Sequence, residues 1–168
     1  IDEYRKTHGR RPTTEQIKKY RESYFQKIFN WIDSAMSSPQ LPAKLKPRLE
    51  TLRAFTLAYL GKREEAAAQF IEVIRTYPED SDVTSGATYI NAGKQFLLAE
   101  KPAKAEEILR EGMKKAANRR YFPHLVDYYF KSLTATGKLE EAVKLWEKWG
   151  PEFGRRAEDE SLTKEERS

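Results

Sequence analysis

Cysteine is absent from the 168-residue sequence, which excludes disulfide bonds, thiol catalysis and cysteine-type zinc sites but assigns the protein to no compartment. Histidine is scarce, since only His8 and His124 occur and neither belongs to a zinc-binding spacing. The sequence also lacks the Gly-x-Ser-x-Gly turn of hydrolases and the glycine-rich loops that bind phosphate groups. We therefore predict a non-enzymatic protein that uses no metal and no cofactor.

Long apolar runs are absent as well. No segment approaches the roughly 20 consecutive apolar residues of a membrane-spanning helix, so we expect no membrane segment. No secretory signal peptide is visible. Because the chain begins at Ile1 instead of methionine, we interpret it as a processed protein or an excised piece of a longer one.

Charge, by contrast, is abundant. Charged residues make up 34 % of the sequence and hydrophobic residues 39 %. The charged share exceeds the roughly 25 % of an average soluble protein, which fits a thin architecture with a large surface. The net charge of +5 leaves anionic partners open, but basic and acidic residues are interleaved along the chain, as on solvated helix faces.

Apolar residues recur with the period of helices, and no useful stretch alternates with the period of a strand. Thr13 and Gln16 have the spacing of a capping box, which predicts one long amphipathic helix over residues 14–36. Its apolar stripe contains Ile17, Tyr20, Tyr24, Ile28, Trp31, Ile32 and Ala35. Because the opposite side carries charges of both signs, we predict that the stripe packs on neighbouring helices and does not lie on a membrane.

One ten-residue phrase occurs three times. It reads GKREEAAAQF at 61–70, EKPAKAEEIL at 100–109 and GKLEEAVKLW at 137–146. The aligned alanines Ala66, Ala105 and Ala142 are 39 and 37 residues apart. Each phrase joins two helical patterns, so we predict three helix pairs. The predicted helices cover residues 47–60 and 62–76, 81–99 and 102–117, and 122–136 and 139–149.

The three pairs resemble tetratricopeptide repeats over residues 47–150. The matching residues are Tyr89, Gly93, Phe96, Ala105 and Leu109 in the second pair, Ala54, Leu57, Ala66, Phe70 and Pro78 in the first, and Val126, Leu133, Ala142 and Trp146 in the third. The spacings exceed the family's usual period of about 34 residues, and the bulky Phe130 stands where a small residue is usual. The resemblance implies an all-α superhelix, a TPR-like solenoid of three helical hairpins preceded by the long N-terminal helix.

The chain divides into four parts on this interpretation. Residues 1–12 form a polar arm, residues 13–38 the long helix, residues 39–154 the helical repeat region, and residues 155–168 a polar tail.

Three pairs of adjacent glutamates invite an acid–base interpretation, namely Glu64-Glu65, Glu106-Glu107 and Glu140-Glu141. Adjacent residues on a helix point about 100° apart, so their carboxylates do not converge on one substrate atom. We predict instead that all three pairs lie in first turns of helices, where carboxylates complement the helix dipole.

The resemblance also implies a binding surface, because such arrays line a concave groove with the first helix of each pair. The residues that it places there are Arg48, Thr51, Phe55 and Tyr59, then Ile90, Asn91 and Lys94, then His124, Asp127, Tyr128 and Lys131. This mixture of aromatic, cationic and hydrogen-bonding groups predicts a protein–protein interaction scaffold that binds a partner peptide or helix. Only Asn91 matches the carboxylate clamp of the family's chaperone-binding members, so we do not expect that function. Self-association is a further expectation, because the ends of such an array expose apolar faces.

RNA binding is the alternative. The segment GKLEEAVKLWEKW also resembles pentatricopeptide repeats, which bind single-stranded RNA. Residues 114–122, KKAANRRYF, add a basic cluster beside aromatic residues, as in sites that combine phosphate contacts with base stacking. Cations are also favoured at a helix C-terminus whether or not a ligand binds there, so the cluster has a structural explanation too.

Overall fold

The computed structural model describes residues 12–116 and 121–158, with side chains as far as Pro151. These ranges contain helices and no strand, which confirms the all-α prediction. The helices are α1 (Thr14–Met36), α2 (Lys46–Tyr59), α3 (Arg63–Thr76), α4 (Ser81–Thr84), α5 (Ala87–Leu98), α6 (Pro102–Lys115), α7 (Phe122–Ala135) and α8 (Leu139–Glu158). A single 3₁₀ turn, Ala43–Leu45, precedes α2.

Six of these helices form three pairs joined by short turns: α2 with α3, α5 with α6, and α7 with α8. We call the earlier member of each pair its first helix. Besides its own partner, α5 packs on α3 and on α7, and α6 packs on α7. The α1 helix packs on α2 at the other end. Each helix therefore contacts mainly helices that are one or two positions away along the chain.

The α1 helix begins and ends as predicted. The Thr13 backbone N–H donates to Gln16 Oε1 at 2.9 Å, and the Gln16 N–H donates to Thr13 Oγ1 at 3.2 Å, which completes the capping box. The guanidinium of Arg53 on α2 holds α1 in place: its Nε donates to Asp33 Oδ1 at 2.8 Å, and its Cζ lies 4.8 Å from the ring centroid of Phe29.

The apolar stripe of α1 is only partly covered, which corrects the prediction that it packs on neighbouring helices. Ile32 alone is buried on this helix among the described residues, and Phe25 stacks on Tyr59 with ring centroids 4.4 Å apart. Tyr20, Tyr24 and Trp31 remain 69, 52 and 68 % exposed. The stripe is wider than the strip that one neighbouring helix covers, and α2 is the helix on which α1 packs.

The repeated phrase lies at the contact between the two helices of each pair. The three aligned alanines, Ala66, Ala105 and Ala142, are all buried. The large residue four positions later is fully buried in the first two pairs, where it is Phe70 or Leu109, but Trp146 of the third pair is 59 % exposed. The indole of Trp146 instead lies 6.4 Å from the ring of Phe130, the bulky residue of α7. The third contact is thus more open than the other two.

The predicted helix over residues 81–99 is divided in two, which corrects that prediction. Gly86 separates α4 from α5 with a φ of +92°, a left-handed conformation that glycine adopts easily. A Cβ at this position would lie 2.5 Å from Leu125 Cδ1 and 2.9 Å from the Cβ of Ala116. The glycine therefore admits α6 and α7 close to the backbone at the break.

The last helix is longer than predicted. It continues through Pro151 to Glu158, so residues 155–158, which were predicted as tail, belong to α8. Gly150 packs against the Trp146 ring and is not a helix end, since a Cβ there would lie 2.8 Å from the indole. The polar arm up to residue 11 and the tail from residue 159 lie outside the described residues.

Candidate functional site

A pocket of about 420 Å³ opens between the first helices of the three pairs. We call it the first-helix pocket. Its wall consists of Thr51, Phe55, Asp82, Ala87, Thr88, Ile90, Asn91, Lys94, Tyr121, His124 and Tyr128. Every one of these residues lies on α2, α4, α5 or α7 or directly before α7. None of its wall residues comes from a second helix in the described part of the chain.

Helical spacing explains how the wall is built. Thr51 and Phe55 lie one turn apart on α2, and His124 and Tyr128 lie one turn apart on α7, so each pair shares one helix face. Between them, α5 presents Asn91 and Lys94 at the same kind of spacing. Seven predicted groove residues therefore meet in one pocket: Thr51, Phe55, Ile90, Asn91, Lys94, His124 and Tyr128.

Four predicted groove residues lie outside the wall. Arg48 is exposed one turn before Thr51, and Tyr59 stacks on Phe25 of α1. Lys131 and Asp127 form an ion pair along α7, with Lys131 Nζ 2.6 Å from Asp127 Oδ2.

Lys131 also orients one member of the wall, because its Nζ lies 4.9 Å from the ring centroid of Tyr128. A cation over the face of an aromatic ring is held by the ring's quadrupole. Lys131 therefore contacts a wall residue without being part of the wall itself.

Four wall residues were not predicted from the sequence: Asp82, Ala87, Thr88 and Tyr121. A continuous helix over residues 81–99 gives no reason to place Asp82 beside α5, whereas the break at Gly86 does. The glycine inside a helical pattern was the signal available in the sequence.

Aromatic rings form much of the apolar part of the wall, and contacts with neighbouring side chains hold them in place. Phe55 meets the buried Phe70 of α3 edge to face, with ring centroids 5.0 Å apart. Tyr121 lies 6.5 Å from the His124 ring on the opposite side. Such rings present rigid apolar surface at a low cost in conformational entropy, which suits them to binding.

The polar part of the wall has hydrogen-bonding capacity that the described residues do not use. Thr88 Oγ1 is fully buried and forms no hydrogen bond with the described residues. The side chains of Thr51, Asn91, Lys94 and His124 likewise form no hydrogen bond or ion pair with the part of the chain that the structure describes. A buried polar group without a partner is unfavourable by about 1–3 kcal/mol.

Buried polar side chains elsewhere in the described part of the chain have hydrogen-bond partners, and the Glu106 carboxylate is one of them. Its side chain is 6 % exposed, and it pairs with Arg110 and with Lys138 Nζ at 2.7 Å. Burial alone would raise the pKa of Glu106, but the hydrogen bonds from Lys138 and Thr136 outweigh it and lower the pKa. Glu106 thus connects α6 to the turn before α8.

This position corrects one of the glutamate predictions. Glu64-Glu65 and Glu140-Glu141 do lie in first turns, of α3 and α8 respectively. Glu106-Glu107 does not, because α6 already begins at Pro102.

The basic cluster of residues 114–120 is described only in part. Lys115 is paired, with its Nζ 2.9 Å from Glu111 Oε1, and residues 117–120 lie outside the described residues. Within the ranges that are described, no group of three or more His, Asp or Glu side chains could hold a metal ion. None of the described helices is both long and apolar enough to cross a membrane.

The family resemblance stays a prediction. Compared with known proteins, the chain matches no family model, no curated protein and no solved structure.

Proposed function

We propose that this protein is a non-enzymatic, tetratricopeptide-like scaffold that binds a peptide or helix of a partner protein in the first-helix pocket. One observation carries the proposal: side chains from α2, α5 and α7, each on a different pair, converge on one pocket of about 420 Å³. The second helices of the pairs contribute nothing to the wall in the described part of the chain. A binding surface formed only by first helices is typical of helical arrays that bind a ligand along one side.

The chemistry of the wall supports a peptide as the ligand. An extended peptide carries backbone donors and acceptors at regular intervals, and Thr51 and Asn91 offer groups that can pair with them. Phe55 and Tyr128 offer apolar faces for the side chains in between. The volume lies in the range of about 300–1,000 Å³ that is usual for ligand pockets, and it suits a few consecutive residues of a partner.

The same proposal includes the expectation that the protein is not an enzyme. A nucleophile or general base is activated by a side chain within hydrogen-bonding distance. His124 is the imidazole of the wall, and it forms no hydrogen bond with the described residues. The proposal therefore gives His124 the role of a contact residue for the bound peptide.

A displayed peptide library selected on the whole chain tests the proposal. We expect selected peptides to bind the wild-type chain and to lose about tenfold or more in affinity on Lys94→Glu or Asn91→Ala, because a tenfold loss corresponds to about 1.4 kcal/mol, the size of one or two hydrogen bonds. Lys62→Glu is the matched control, since Lys62 is an exposed lysine at the start of α3 and outside the wall. Circular dichroism confirms that each variant is folded.

Two results would contradict the proposal. If the selected peptides bind the Lys94→Glu and Asn91→Ala variants as tightly as the wild type, the first-helix pocket is not their binding site. Tight binding of single-stranded RNA that weakens steeply with salt and is lost on Lys114→Glu would favour the RNA alternative instead.

A further inference from the structure

Large apolar side chains are exposed at two ends of the chain of helices. Ten such side chains are exposed among the described residues, and six of them lie on α1 and α8. These six are Tyr20, Tyr24, Trp31, Leu139, Val143 and Trp146. Single exposed apolar residues need no explanation, but rows of them on one helix face indicate an interaction surface.

On α1 the exposed residues form a row that α2 does not cover. Tyr20, Tyr24, Lys27 and Trp31 follow one another at three- and four-residue steps, which places them on one line along the helix. Phe25 and Phe29 lie on the other side, where they contact Tyr59 and Arg53 of α2. We call the row of Tyr20, Tyr24, Lys27 and Trp31 the head face.

On α8 the same pattern recurs. Leu139, Val143 and Trp146 are 62, 54 and 59 % exposed and follow one another at four- and three-residue steps. Glu140 and Glu147 line the same shallow depression as Leu139 and Val143, together with Lys144. We call this row with its two glutamates the tail face.

The two faces carry opposite charges that have no partner within the described residues. Lys27 lies within the head face and Arg21 one turn before Tyr24, and neither forms an ion pair there. Glu140 and Glu147 of the tail face form none either. Even with Lys144 counted, the depression on α8 keeps one net negative charge.

We propose that the head face of one copy of this chain packs on the tail face of a second copy. Opposite charges favour this pairing. Contact between two head faces would bring Lys27 and Arg21 of both copies together, and contact between two tail faces would bring their glutamates together, so like charges would repel in both cases. The contact between α1 and α2 already uses such chemistry, with stacked rings and an Arg53–Asp33 ion pair.

Head-to-tail contact has consequences for the size of the assembly. Each copy keeps a free head and a free tail after pairing, so the contact repeats and produces open chains or rings. Neither face contains a residue of the first-helix pocket, so assembly displays several pockets side by side. The inference does not depend on what the pocket binds.

Two complementary variants test the pairing by sedimentation velocity across a concentration series. The wild-type mass should increase with concentration. Tyr24→Asp disables the head and Val143→Asp disables the tail, so each variant alone should stay monomeric. Their equimolar mixture should form a one-to-one dimer and nothing larger, because one working head and one working tail remain. Leu98→Asp is the matched control, since Leu98 is 53 % exposed and belongs to neither face, and it should assemble like wild type.

Charge exchange provides the second test. Lys27→Glu and Glu147→Lys should each weaken assembly by about two- to fivefold, as expected for an exposed ion pair, and the two changes in one chain should restore part of it. All substituted side chains are exposed, and circular dichroism checks that the variants fold. A wild-type chain that stays monomeric throughout, a mixture that fails to dimerise, or a dimer of either aspartate variant alone would overturn the inference.

Discussion

Glu100 has the backbone conformation of a glycine. Its φ is +57°, and it is the one residue other than glycine with positive φ in the described part of the chain. It precedes α6 at the turn where the other two copies of the repeated phrase have Gly61, with φ +81°, and Gly137, with φ +76°. A residue with a Cβ is disfavoured in this region by about 1–2 kcal/mol.

We predict that Glu100→Gly stabilises the protein. The relief of backbone strain exceeds the extra entropy that glycine gives the unfolded chain, so the free energy of unfolding should rise by about 0.5–1 kcal/mol. Urea denaturation followed by circular dichroism measures the change as a higher midpoint. Glu79→Gly is the control, because Glu79 is exposed and has no positive φ, and it should be neutral or destabilising. A lower midpoint for Glu100→Gly would contradict the prediction.

Among the described residues, Glu111 is a carboxylate whose pKa is strongly lowered. Arg75 on α3 donates two hydrogen bonds to it, at 2.6 and 2.8 Å, and Lys115 Nζ lies 2.9 Å from it. The bonds from Arg75 lower the pKa of Glu111 most, burial opposes them, and the bond from Lys115 adds to them, so the pKa falls from 4.5 to about 2. The group therefore stabilises the fold fully only above pH 4.5, its ordinary pKa.

We predict that Glu111→Gln lowers stability at neutral pH and that the difference from wild type shrinks as the pH falls from 4.5 to about 2. In that window the folded carboxylate becomes protonated and its advantage over glutamine disappears. Thermal melts at a series of pH values measure the difference. Glu79→Gln serves as the control because Glu79 has no ion pair with the described residues, and a gap that stays constant down to pH 2 would count against the assignment.

At the scale of elements, Gly93 sets how closely α5 approaches α6. A Cβ at Gly93 would lie 2.5 Å from Leu109 Cγ, well inside van der Waals contact. We predict that Gly93→Ala destabilises the protein by about 1–3 kcal/mol through overpacking. Chemical denaturation measures the loss.

A double-mutant cycle shows whether Leu109 is the cause. Leu109→Ala alone leaves a cavity and should reduce stability by about 2–5 kcal/mol. The extra methyl of Gly93→Ala fills part of that space, so the double variant should be less destabilised than the sum of the two changes by about 1 kcal/mol. Strictly additive effects would show that the two helices adjust elsewhere.

Local patterns in the sequence predict most of the elements, because helix starts depend on nearby residues. The capping box of Thr13 and Gln16 placed the start of α1, and the repeated phrase placed the starts of α3, α6 and α8 to within a residue or two. The break at Gly86 could not be predicted in this way. Its cause is the approach of Leu125 and Ala116, which lie 39 and 30 residues further along the chain.

The residues of the candidate site likewise differ in whether they could be predicted from the sequence. The resemblance to tetratricopeptide repeats implied a groove with Thr51, Phe55, Asn91, Lys94 and Tyr128, and the structure brings these residues together in one pocket. Asp82 and Thr88 depend on the break before α5. Tyr59, also predicted for the groove, lies outside the pocket wall and stacks on Phe25 of α1, a contact that the sequence alone does not show.

At the scale of the whole molecule, burial is concentrated in the middle. The α5 helix has seven buried residues, whereas α1 has Ile32 alone among its described residues. In arrays whose helices contact mainly their neighbours, each element is stabilised by those on either side of it. The end helices have a neighbour on one side in the described part of the chain, so they should open more easily than the middle.

Hydrogen–deuterium exchange measured by mass spectrometry tests this gradient. We predict that amides of α5 exchange slowest and that those of residues 14–24 exchange fastest, by a factor on the order of a hundred, because local opening there exposes little apolar surface. Exchange should also slow in α1 and α8 as protein concentration rises, since the proposed head and tail faces become covered, while exchange in α5 should not change with concentration. The Leu98→Asp control should behave like the wild type. Uniform protection along all helices would instead mean that the chain opens as one cooperative unit. Exchange rates that do not change with concentration would show that the head and tail faces take no part in assembly.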